Sequence, residues 1–69
     1  MSEHRFGSRL RAARKKRGLT QRQLAEKVGV SQPMIARWES GRTDVVLGTA
    51  FRLAKALKVP PETLMLRNA

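Results

Sequence analysis

Gln32 and Arg37 are the side chains of this sequence whose types and spacing suggest recognition chemistry. Both fall in the segment SQPMIARWES, residues 31–40. At about 100° per residue on a helix, Met34, Trp38, Ser31 and Ile35 gather on one side, with Glu39 at the margin. Gln32, Pro33, Ala36, Arg37 and Ser40 occupy the other side. A planar amide can make a pair of hydrogen bonds to adenine and a guanidinium can do so to guanine, while Ala and Pro permit close approach and can touch a thymine methyl. The outward face therefore has the composition of a base-reading surface. The same residues also suit a helix whose polar face is only wet, so the elements that position them must decide.

Those elements are punctuated clearly. Thr20 followed by Gln23 is a capping box, and Leu19 and Leu24 stand at the positions of a hydrophobic staple across it. Gly29 ends that helix in the manner of a residue free to turn left-handed. Only Gly29 and Val30 separate it from the next cap, Ser31, where Val30 and Ile35 repeat the staple. Pro33 lies in the first turn of the second helix, where a missing N–H costs little, and Gly41 closes it. Leu24, Ala25 and Val28 form the apolar arc of the first helix. Two capped helices within residues 20–41 must turn sharply, and two helices joined by a tight Gly-containing turn form the unit that places its second helix in the DNA major groove.

Charge points the same way. The 69-residue chain carries 15 Lys plus Arg against 5 Asp plus Glu, a formal net charge of +10. Such a field attracts polyanions, with nucleic acid ahead of an anionic membrane surface. No apolar run approaches the roughly 18 residues of a membrane span and no signal peptide is expected, so the reading is an intracellular, cytoplasmic, nucleoid-associated protein. Cysteine is absent, which removes disulfides and thiolate metal sites. His4 is the only histidine, and no set of Ser, His and Asp suits nucleophilic catalysis. No enzyme activity, metal or cofactor is expected. At this length one domain is expected, often aided by dimerisation.

The remaining segments complete an all-α reading of five helices. A helix over residues 5–17 carries Phe6, Leu10 and Ala13 as its core stripe, and Gly18 stops it. The basic run Arg14 to Arg17 suits the helix dipole. After a loop at residues 41–46, a helix over residues 47–58 has Leu47, Ala50, Phe51, Ala54 and Leu57 as its apolar stripe and no clear N-cap. Pro61 opens a last helix over residues 61–66. Its Leu64, Met65 and Leu66 cannot all face one core, so a second subunit is expected to cover some of them. Residues 1–4 and 67–69 are expected to be tails flanking a domain over residues 5–66.

The motifs taken together resemble the phage repressor and Cro-type helix-turn-helix family, also called lambda-repressor-like. The resemblance covers residues 6–66. It is carried by Arg14, Gly18-Leu19-Thr20-Gln21, Leu24-Ala25, Val28-Gly29-Val30-Ser31-Gln32, Ile35, Trp38-Glu39-Ser40-Gly41-Arg42 and Leu53-Ala54-Lys55-Ala56-Leu57. The family implies a compact five-helix fold that binds double-stranded DNA as a two-fold dimer on a palindromic operator. By position, Gln32 is then expected to read adenine, Arg37 guanine, and Pro33 and Ala36 to touch bases. Thr20, Gln21 and Arg22 are expected to clamp one phosphate through the Thr20 and Gln21 N–H groups and the Arg22 side chain. Ser31 is placed with the phosphate contacts, and Ser40, Arg42 and Thr43 form the second clamp. The family also implies that Gln21 braces Gln32, and that Arg14 and Glu39 form a partly buried ion pair. Asp44 departs from the pattern, because many members carry a base or a neutral residue there. Gly48, with the uncapped Val45-Val46 entry, implies a looser fourth helix.

The leading expectation is a sequence-specific transcriptional regulator, a repressor acting as a homodimer. With no effector domain or cleavable linker in view, an inducible two-domain repressor is not expected, nor is a small-molecule ligand. One alternative is an antitoxin with a toxin partner, or the controller of a restriction system. Another is an adaptor that binds protein partners. Charge-driven RNA binding fits less well, because Phe6, Trp38 and Phe51 read as core-facing and cannot stack bases.

Overall fold

The computed structural model describes residues 6–65. The expected tails at residues 1–4 and 67–69, together with Arg5 and Leu66, lie outside the described residues. The described residues form five helices and no strand: α1 (Phe6–Lys16), α2 (Gln21–Val28), α3 (Gln32–Ser40), α4 (Leu47–Leu57) and α5 (Pro61–Met65).

Local chemistry sets the ends of the central pair. Thr20 Oγ1 accepts from the Gln23 N–H at 3.0 Å, and Gln23 Oε1 accepts from the Thr20 N–H at 2.8 Å, which closes the capping box. Gly29 ends α2 at φ 82°, a left-handed value that any Cβ would strain. Its N–H and that of Val30 both return to the Ala25 carbonyl, at 2.8 and 3.0 Å. Ser31 Oγ accepts from the Met34 N–H and starts α3. The Arg42 N–H closes α3 on the Arg37 carbonyl at 3.0 Å.

Packing joins these helices around one core. Leu10, Leu24, Ile35, Leu53, Leu57 and Leu64 are completely buried, with Ala13, Ala25, Val28, Trp38 and Ala54 beside them. Helix α1 packs on α3 and α5, α2 on α3 and α4, and α4 on α5. The α1–α3 crossing is very close. A Cβ built on Gly7 would lie 2.6 Å from the Glu39 carbonyl oxygen and nearer still to that of Trp38. Arg52 of α4 donates from Nη2 to the Val28 carbonyl at the end of α2.

Three expectations are corrected here. The α4 stripe is Ala50, Leu53, Ala54 and Leu57, so Leu53 replaces Leu47 and Phe51. On a helical wheel Leu47 and Phe51 fall about 60° and 100° from Ala50, on the flank away from Leu53. They are 56% and 48% exposed. Phe51 is therefore not a core aromatic. Helix α4 also ends one residue earlier than expected, because Lys58 turns left-handed at φ 58°. Leu64 belongs to the core of its own chain at 0% exposure, which withdraws its side chain from any surface offered to a partner. Of the expected dimer residues, Met65 alone is both described and exposed, at 38%.

Candidate nucleic-acid interface

Helix α3 presents Gln32, Pro33 and Arg37 to solvent while Ile35 and Trp38 anchor it in the core. Met34 packs against that core and Ala36 is half-buried. Amphipathic spacing thus does what the sequence requires: two buried anchors fix the helix, and the intervening residues face outward.

A continuous set of hydrogen bonds leads from the interior to this face. Arg14 Nε donates to Glu39 Oε2 at 2.6 Å, and Arg14 Nη2 to Glu39 Oε1 at 3.1 Å. Both side chains are nearly inaccessible, at 10% and 4% exposure. Arg14 Nη1 donates to the Leu19 carbonyl at 2.8 Å, fixing the approach to α2. Gln21 Nε2 then donates to Glu39 Oε1 at 3.0 Å, and Gln32 Nε2 donates to Gln21 Oε1 at 2.6 Å. Among the described residues no buried side-chain nitrogen or oxygen lacks a partner. A fully satisfied network of this kind rigidifies what it holds. It leaves Gln32 with its Oε1 and one N–H for another partner.

Around the exposed end of this network lies an open groove of about 610 Å³. It is lined by Arg14, Gly18, Leu19, Thr20, Gln21, Arg22 and Gln32. The N–H groups of Gln21 and Arg22 stand in the first turn of α2, where no intrahelical acceptor exists, and a helix N-terminus with such groups favours an anion. Arg22 is exposed beside them. On the far side of α3, Arg42, Thr43 and Asp44 are all exposed.

Two expected phosphate donors are engaged elsewhere. The Thr20 N–H is taken by Gln23 Oε1, which leaves the hydroxyl hydrogen as the donor that Thr20 can offer. The Ser40 hydroxyl donates to the Arg37 carbonyl at 3.1 Å, so its single hydrogen is turned back onto α3. Ser31 Oγ accepts from the Met34 N–H at 3.3 Å and keeps its hydrogen. The buried position of the Glu39 side chain behind Gln21 was not readable from spacing alone, because Glu39 of α3 contacts groups on two other helices, α1 and α2.

This arrangement defines a class: a buried core, an outward α3 and an anion-ready α2 N-terminus make a helix-turn-helix DNA-binding domain. The chain belongs to the helix-turn-helix family, whose model matches residues 10–64, and it is of the phage repressor and Cro type. It is similar to the HTH-type transcriptional repressor RghR of Bacillus subtilis, 49% identical over 61 residues that cover 87% of this chain and 45% of that protein. It is similar to repressor protein C2 of Salmonella phage P22, 37% identical over 94% of this chain and 30% of that protein. The chain thus spans less than half the length of either repressor. Among solved structures, the P22 c2 repressor in complex with synthetic operator 9T matches with a TM-score of 0.80 and 38% identity, covering 87% of this chain and 91% of that one. The restriction-modification controller protein C.AhdI from Aeromonas hydrophila matches with a TM-score of 0.83 and 37% identity, covering 86% of each chain. The family is one of DNA-binding transcription regulators and is not an enzyme class. No helix of the described residues is long and apolar enough to cross a membrane.

Proposed function

We propose that the chain is a sequence-specific repressor that binds a palindromic operator as a homodimer, with its two α3 helices about one DNA turn apart in the major groove. The observation that carries this reading is the exposed Gln32 amide, held at 2.6 Å by Gln21 and through it by buried Glu39. Holding an amide in place before binding reduces the ordering cost of recognition. Gln32 reads adenine and Arg37 reads guanine, with Pro33 and Ala36 against thymine methyls. Gln21 and Arg22 hold one phosphate, with the Thr20 and Ser31 hydroxyls beside it. Arg42 and Thr43 hold another, and Ser40 joins them only by giving up its bond to Arg37. Met65, with Leu66 beyond the described residues, contributes to the contact between subunits. The protein works in the cytoplasm on the nucleoid.

Selection of sites from random duplex DNA tests this reading. Wild type should enrich a two-fold symmetric site. Gln32→Ala and Arg37→Ala should each relax one base position per half-site, at a cost of ~1–3 kcal/mol. Equal weakening on every sequence would reduce both residues to phosphate contacts, and no enriched site would overturn the proposal.

A second reading is favoured by one observation. The controller protein C.AhdI is similar to this chain in fold, with a TM-score of 0.83, and in sequence, at 37% identity. A controller of a restriction system would bind DNA in the same way, and an adjacent restriction gene would distinguish it.

A further inference from the structure

We infer that Glu39, through its buried side chain, sets the direction in which Gln32 presents its amide, and so acts as a positioning residue that selects adenine over guanine. The inference rests on the proposed reading of bases by Gln32. The chemistry starts from the carboxylate, which only accepts hydrogen bonds. Glu39 Oε1 therefore turns the Gln21 NH₂ toward itself at 3.0 Å. Gln21 Oε1 is then the atom that meets Gln32, and it too can only accept. The Gln32 NH₂ must face it, and does so at 2.6 Å. The order of N–H and C=O along the free edge of Gln32 follows from this chain of directions.

Adenine offers an acceptor at N7 and a donor at N6, whereas guanine offers two acceptors, N7 and O6. An amide edge in the adenine-matching order meets both adenine groups. Reversed, it sets donor against donor and acceptor against acceptor on adenine, while its N–H faces the guanine O6. The two orders therefore differ most at the step between adenine and guanine.

Glu39→Gln changes this direction without changing shape. With its oxygen at the Oε2 position it keeps the 2.6 Å contact with Arg14 Nε, and its NH₂ takes the Oε1 position, giving up the bond from Arg14 Nη2. Its NH₂ would then face Gln21, which must accept, and the Gln32 amide reverses. Gln21→Met removes the link and leaves the Arg14–Glu39 pair whole.

The test is competition binding between the selected operator and the same operator with guanine in place of the adenine read by Gln32. Unfolding curves check that each variant is folded. Wild type should prefer adenine by on the order of tenfold or more. Glu39→Gln and Gln21→Met should both bring that ratio to within about threefold of parity, below what a paired contact supports, with the other base positions unchanged. If Glu39→Gln does not fold, the double variant Arg14→Met with Glu39→Leu removes the carboxylate while keeping Gln21, and a wild-type ratio in that folded variant overturns the inference. If Gln32→Ala abolishes the adenine preference but folded Gln21→Met retains the wild-type ratio, the inference is overturned and the reading by Gln32 stands. If Gln32→Ala alters no base position, the reading itself is overturned, and the inference with it.

Discussion

Arg14 and Glu39 meet across α1 and α3 in a two-point contact, Nε to Oε2 at 2.6 Å and Nη2 to Oε1 at 3.1 Å. Both side chains are almost wholly withdrawn from water. Removing one partner of such a pair leaves an uncompensated charge inside the protein. Arg14→Met should therefore cost about 3–5 kcal/mol in urea unfolding. The double variant Arg14→Met with Glu39→Leu should recover most of it. A single variant as stable as wild type would mean that water reaches Glu39.

Gly7 sits where α1 crosses α3, with no room for a Cβ between its backbone and the carbonyls of Trp38 and Glu39. Gly7→Ala gains helix propensity but must push the helices apart. The net expectation is a loss of about 1–3 kcal/mol, read as a lower Tm. An unchanged Tm would show that α1 shifts without penalty.

Arg22 and Arg42 are exposed on either side of α3 and carry the charge that suits phosphate. Arg22→Gln and Arg42→Gln should each weaken binding about equally on all duplex sequences. Each should also lower the slope of log affinity against log salt by ~1. A variant that changes base preference while keeping the wild-type slope would assign that arginine to base reading.

Lys58 ends α4 in the left-handed region at φ 58°, where a Cβ is disfavoured. Lys58→Gly relieves that strain and loosens the unfolded chain only modestly. The expected result is a gain of about 0.5–1 kcal/mol in thermal or urea unfolding. A loss would mean that the lysine side chain contributes more than its backbone costs.

Met65 is the exposed large apolar residue of α5, beside buried Leu64. In sedimentation, Met65→Lys should shift a dimer toward monomer at concentrations where wild type remains associated. An unchanged oligomeric state would remove α5 from the subunit contact. The exposed α4 flank of Leu47 and Phe51 would then be the next surface to substitute.

The α2–α3 unit was legible because capping is local chemistry. Thr20, Gln23, Gly29, Ser31 and Gly41 act within a few residues of themselves, so their types alone place the helix ends. The same capping box shows why the Thr20 N–H is unavailable to phosphate, since the reciprocal bond to Gln23 consumes it. Helix α4 was read less well. Periodicity identifies an apolar arc but not its centre: Leu53 and Phe51 stand on opposite flanks of α4, and packing on α2 and α5 decides which flank is buried. Gly7 gives no local signal at all, because its role is a distance between two helices. The Arg14–Glu39–Gln21–Gln32 connection joins three helices. The resemblance implied two of its links, while the middle one required the assembled fold.

Arg52 of α4 donates to the carbonyl that ends α2, 24 positions earlier in the chain. The turn before α3 is thus held in part from outside the two helices that flank it, and the core that holds Leu24, Ile35 and Trp38 is completed by α1 packed on α3 and α4 packed on α2. Cut free as residues 20–41, the segment would lose Arg14, Arg52 and most of its core neighbours. Each of its helices is also shorter than the ~12–15 residues at which isolated helices become even marginally stable in water. Its reading surface is consequently not a portable cassette. Grafted onto another scaffold, it would keep its letters and lose its shape.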